Sequence, residues 1–157
     1  MALKADRHEI QTDISFFSDS AVATRGGVVI HDTTAGSGAA MDQGVNKVFE
    51  KICVAGDIPV GILLNDIVDK DLTRTHLNHF KDEVQLGGKV TILRKGWVVT
   101  NRITGTPSAG DLAYACHVTK GNIRNNSAIA NSGNLVIGRF LSSKDEDDYC
   151  KVEVNLP

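Results

Sequence analysis

The chain has 157 residues, of which 41% are hydrophobic, 23% charged and 5% aromatic, and its formal net charge is -2. That balance excludes a nucleic-acid binder that works mainly by neutralising phosphates, because such proteins carry a strong basic excess. It also excludes a helical membrane span, since the best apolar run, residues 58–64, is short and holds Pro59 and Gly61.

The length suits one domain with a loose leading segment, and the scarcity of aromatics means that Val, Ile and Leu must build the core. Residues 1–24 are mixed polar and charged, with one apolar cluster, Ile14-Ser15-Phe16-Phe17. They read as an extended N-terminal arm ahead of a β-rich domain at 25–157. Lys4, Asp6, Arg7, His8 and Glu9 near the start do not make a secretory signal, which needs an apolar stretch. Arg25-Gly26-Gly27 introduces Val28-Val29-Ile30, the first expected core strand. Residues 33–44, rich in Gly, Ala, Ser and Thr, read as a loop.

Strand character returns over 45–54, and Ala55-Gly56-Asp57 reverses the chain into a strand at 59–64, where Pro59 is tolerated at the first position. Residues 67–84 hold the only helical potential, with Leu72, His76 and Phe80 four apart, and the expectation is one or two helical turns. Residues 86–103 read as a hairpin of two strands reversing at Lys95-Gly96. Further strands are expected at 112–117 and 135–141. Over 149–156, Cys150, Val152, Val154 and Leu156 alternate with Lys151, Glu153 and Asn155, the period of a half-buried strand. The fold class is therefore all-β with minor α, a compact barrel-like or sandwich-like domain.

No segment carries a catalytic signature. His76 and His79, with Asp82 or Glu83 as a third ligand, have helical spacing for zinc, but they read first as surface polar residues on a loop. Asp66, Asp69 and Asp71 lack the glycine and the bidentate Glu of a helix-loop-helix calcium site. Gly36 and Gly38 do not complete a dinucleotide fingerprint, and no Gly-x-Ser-x-Gly occurs. Cys53, Cys116 and Cys150 are odd in number and far apart, and read as buried reduced thiols in a protein made in a reducing cytoplasm. Phe16 and Phe17 stand outside any periodic element. Either one packs on the core, or both serve an arm that docks on a partner and orders only by gaining a strand neighbour.

The order of elements resembles the head decoration, or cement, proteins of tailed double-stranded DNA bacteriophages, the lambda head-stabilising protein family. The residues that carry the resemblance are Arg25-Gly26-Gly27-Val28-Val29, Ile58-Pro59-Val60-Gly61-Ile62-Leu63, the stretch from Lys81 to Val90, Lys95-Gly96-Trp97-Val98-Val99-Thr100, Ala109-Gly110-Asp111-Leu112-Ala113-Tyr114 and Val136-Ile137-Gly138-Arg139-Phe140-Leu141. The resemblance implies a non-enzymatic homotrimer without a cofactor, bound to the major capsid protein on the outer surface of the virion, away from nucleic acid and membrane. It implies an arm that pairs with capsid strands, a role that falls here to Asp13, Ile14, Ser15, Phe16, Phe17 and Ser18. Other readings are a tail or head-fibre component, or a glycan-binding β-barrel. Glycan sites stack sugars on exposed aromatics, and Trp97, Tyr114 and Tyr149 lie in expected strands instead.

Overall fold

A computed structural model describes residues 2–33, 46–68, 83–126 and 135–157. Thirteen strands are present among them. In chain order they are β1 (Leu3–Asp13), β2 (Phe17–Ser18), β3 (Val28–His31), β4 (Lys47–Phe49), β5 (Pro59–Leu63), β6 (Asp66–Ile67), β7 (Glu83–Val84), β8 (Ile92–Thr100), β9 (Ile103–Thr104), β10 (Leu112–Ala115), β11 (Ile123–Arg124), β12 (Val136–Phe140) and β13 (Cys150–Asn155). The domain is all-β. Eleven strands form one sheet in the order β2-β4-β3-β5-β8-β13-β12-β10-β11-β9, with β1 added on β8, while β6 and β7 form a small parallel pair. The sheet does not close into a barrel.

The sheet instead folds over on itself. Val28 and Ile30 from β3 share one core with Ile103 from β9, Ile123 from β11 and Phe140 from β12. The Val28 N–H also donates to the Gly121 carbonyl at 2.8 Å, joining the start of β3 to the turn before β11. This is the sandwich-like solution for a sheet with one apolar face. A second cluster lies on the other side of β3 and β5, built from Val29, Val48, Val60, Leu63 and Ile92. β3 and β5 supply side chains to both clusters, Val28, Ile30 and Ile62 to the first and Val29, Val60 and Leu63 to the second, and every residue of β5 is buried.

The closing strand is as its period requires. Cys150, Val152 and Val154 are buried, and Glu153 and Asn155 are exposed. Cys53, Cys116 and Cys150 are free, buried thiols. Burial pushes the Cys53 thiol up to about 12 and the Cys150 thiol up to about 11, so both stay protonated.

Two expectations are corrected. Lys95-Gly96 is not a reversal, because β8 runs straight through it. Gly96 has φ 141, and a Cβ there would collide with the His8 carbonyl. The glycine lets a neighbouring strand approach closely, and that neighbour is β1 from the N-terminus, not residues 86–93. The leading segment, in turn, is not separate from the domain. Leu3–Asp13 pairs antiparallel with β8, Leu3 is in the main core, and Ser18, Ser20 and Ala23 are buried. Residues 34–44 of the loop expected at 33–44, residues 69–82 of the stretch 67–84 expected to hold helical turns, and the candidates Gly36, Gly38, Asp69, Asp71, His76, His79 and Asp82 lie outside the described residues.

Candidate interaction surface

β1 is an unusual strand. Residues 5–12 are exposed in an unbroken run, so neither face of the strand is covered. Backbone pairing with β8 and the anchors at its two ends hold it. At one end Leu3 is buried, and Lys4 reaches Asp145 at 3.5 Å and lies 4.2 Å from the Tyr149 ring centre. At the other end Asp13 meets Arg94 at 3.5 Å and accepts hydrogen bonds from the Ser15 N–H and hydroxyl at 2.8 and 2.6 Å. Burial opposes ionisation of Asp13, but the Ser15 hydrogen bonds and the Arg94 guanidinium outweigh it and hold the carboxyl below the usual carboxylate range.

Between those anchors, Arg7, His8 and Glu9 face Val98, Trp97 and Gly96 in one unbroken register, and the shifts fall outside this triplet. The Arg7 guanidinium donates to Glu9 at 2.6 Å along the strand. His8 stacks beside Trp97 with ring centres 6.5 Å apart. Lys151 sits 3.5 Å from the Trp97 ring centre, so the indole is engaged by its own domain. Among the described residues, β8 is the only strand paired with β1. Among the described residues, the far edge of β1 therefore presents unpaired main-chain groups along the exposed run 5–12. Ile10 and Ile14 are 69% and 64% exposed along and just after it.

The six residues expected to grip a partner do not act as one free patch. Asp13 is tied to Arg94, and Ile14 and Ser15 are exposed in the connection between β1 and β2. Phe16 packs against the second cluster and meets the His31 ring edge-on at 5.3 Å. Phe17 opens β2, which pairs parallel with β4, and Lys89 lies 5.7 Å from its ring centre. Ser18 is fully buried, its hydroxyl bonded to the Ser20 carbonyl at 3.1 Å. Of the six, Ile14 is the exposed large apolar side chain, and Ile10, outside them, is a second. Phe16→Ala is expected to lower the unfolding free energy by about 1–2 kcal/mol, below the cost of a fully buried phenylalanine because the ring is half-buried. Chemical denaturation measures it, and an unchanged midpoint would return Phe16 to the role of a free anchor.

A second constellation has no sequence signature. Glu50 is buried, with Arg102 ion-paired to one carboxylate oxygen and Lys120 3.7 Å from the other. Arg102 also donates to the Lys120 carbonyl at 2.8 Å, and the Glu50 N–H donates to the Ser20 hydroxyl at 2.8 Å. Lys120 reaches the Val22 carbonyl at 3.3 Å. The cluster pins together four segments, at 20–22, 50, 102 and 120, and nothing in the spacing of these residues announces it. Gly121, at φ 69, leaves the room that Glu50 occupies, since a Cβ there would overlap its side chain. The Glu50 carboxylate is engaged at both oxygens by its own domain, which makes it a clamp between these segments.

Among the described residues no group of three or more His, Cys, Asp or Glu is placed to hold a metal ion. Glu83, a candidate ligand by its spacing, lies in β7 paired with β6. Asp145–Asp148 is an acidic turn whose Asp145 accepts from the Tyr149 and Asp147 N–H groups at 2.8 and 3.0 Å. No helix among the described residues is long and apolar enough to cross a membrane. No protein-family model matches the chain, and no curated protein matches it.

Proposed function

We propose that this protein is a capsid decoration protein of a tailed bacteriophage, a non-enzymatic homotrimer that binds the major capsid protein on the outer surface of the head and stabilises it against internal DNA pressure. One observation carries the reading: an eleven-residue N-terminal strand held at both ends, with its middle uncovered and its far edge open. An open edge of that length can add to an extended segment of a shell protein, main-chain hydrogen bonds supplying affinity and the exposed Ile10 and Ile14 supplying apolar contact. Three such strands per trimer would act together through high effective concentration. The clamped domain behind the strand supplies rigidity and needs no cofactor for the task. The engaged Trp97 ring disfavours the glycan-binding alternative, which depends on free aromatic faces.

The test is to mix the purified protein with emptied, expanded phage heads and measure what sediments with them. Saturable binding is expected, with the greatest effect on heads challenged by heat or low salt. Ile10→Ser with Ile14→Ser should weaken that binding by about tenfold or more while leaving the melting temperature of the free protein within about two degrees, because both side chains are largely in solvent already. Failure of the wild-type protein to bind any expanded head would overturn the reading.

A further inference from the structure

We propose that two copies of the chain pair edge to edge through β1, antiparallel, about a two-fold axis that passes through His8. The contact is independent of the head-decoration reading. It concerns the free protein, and a shell strand would compete with it for the same edge.

Symmetry and charge together select the register. A two-fold axis perpendicular to a sheet keeps each residue on its own face, so it matches residues separated by an even number of positions and runs through a residue. Centring on Asp6, Arg7 or Glu9 sets like charges directly opposite each other, which is destabilising. Centring on Ala5 or Ile10 opposes unlike charges but engages only residues 3–7 or 7–13. Centring on His8, the midpoint of Leu3–Asp13, gives the longest overlap of the exposed run and places the regular triplet Arg7-His8-Glu9 at the axis. It places Arg7 against Glu9 of the second copy, and Glu9 against Arg7 of the second copy.

The geometry of the free strand suits this pairing. Arg7 and Glu9 already lie side by side at 2.6 Å, so the second copy's pair would close a ring of four alternating charges. Residues 5–12 are exposed, and no side chain among the described residues covers the approach. The central triplet is the part of β1 with an unbroken register on β8, which gives the edge a straight segment to present. An open edge of this length invites indiscriminate pairing, and charges that accept only one register restrict each edge to a single partner strand.

The experiment uses charge reversal and mixing. Wild-type protein should self-associate across a concentration series in sedimentation equilibrium. R7E sets its new carboxylate against Glu9 of the second copy, and E9R sets its new guanidinium against Arg7 of the second copy. Each variant alone should therefore associate about tenfold more weakly. An equimolar mixture of the two should recover wild-type association, because every opposed pair is then a carboxylate against a guanidinium. Far-ultraviolet circular dichroism confirms that each variant is folded before mixing. A second measurement avoids charge altogether: H8C should form a disulfide-linked pair of chains under mild oxidation, whereas T12C, which faces Lys4 of the second copy, should not. The native thiols are all buried and do not compete. A mixture no tighter than its components, or T12C cross-linking as fast as H8C, would overturn the proposal.

Discussion

Glu50→Ala is expected to destabilise the domain by about 3 kcal/mol, measured by denaturant unfolding near neutral pH. Removing one member of a buried ion pair strands the other, and here the stranded group is Arg102, whose Nε already lacks a partner. Arg102 keeps a quarter of its side chain in water, which holds the cost at the low end of the range for buried pairs. Against a total stability of about 5–15 kcal/mol, that loss is large. The same site has a pH signature. Burial pushes the Glu50 carboxyl above the usual carboxylate range, and Arg102 and Lys120 pull it back only in part. Between the ordinary carboxylate value and the raised one, the folded chain binds a proton that the unfolded chain has released. Stability from this group therefore grows as pH falls through that window. Wild-type protein should gain stability relative to Glu50→Gln on mild acidification, whereas Asp13, with its lowered value, loses its contribution at still lower pH. A wild-type-to-Gln difference that stays flat with pH would show that Glu50 is solvated.

Gly96→Val is expected to strip β1 from β8 while leaving the rest of the sheet paired. At φ 141 a branched side chain is strained by about 1–3 kcal/mol, and its Cβ would meet the His8 carbonyl besides. β1 has little buried side-chain area to offset that cost between its anchored ends. Hydrogen exchange should show those amides of residues 5–11 that bond to β8 losing protection by a hundredfold or so, as an added cost of about 3 kcal/mol implies, with β13 unchanged. Head binding and edge-to-edge association should fall together in this variant, since both need the strand held in place. Retained protection over β1 would mean that the glycine is not what admits the strand.

The core strands were readable because burial imposes a period. Val28-Val29-Ile30, the apolar run through Leu63 and the alternation from Cys150 to Leu156 each mark a strand. Gly96 misled because a glycine between two apolar runs fits a reversal and a close strand approach equally well, and only the tertiary neighbour distinguishes them. β1 was missed for a related reason. Lys4, Asp6, Arg7, His8 and Glu9 are the residues of a strand whose middle buries nothing, so no hydrophobic period exists to betray it. Phe16 and Phe17 drew notice as large apolar residues in a polar segment, yet the exposed partners are Ile10 and Ile14, which composition alone does not separate from core residues. Glu50, Arg102 and Lys120 come together only once the sheet has folded, and no local spacing encodes that.

The partnership of β1 and β8 also sets an order of events on the ribosome. His8 faces Trp97, 89 positions later. At about 5–20 residues per second, the first strand waits roughly 4–18 s in the nascent chain before its mate is even synthesised. A hydrophobic strand left single for that long would be a hazard to its neighbours on a polysome. One built from lysine, aspartate, arginine, histidine and glutamate can wait in water.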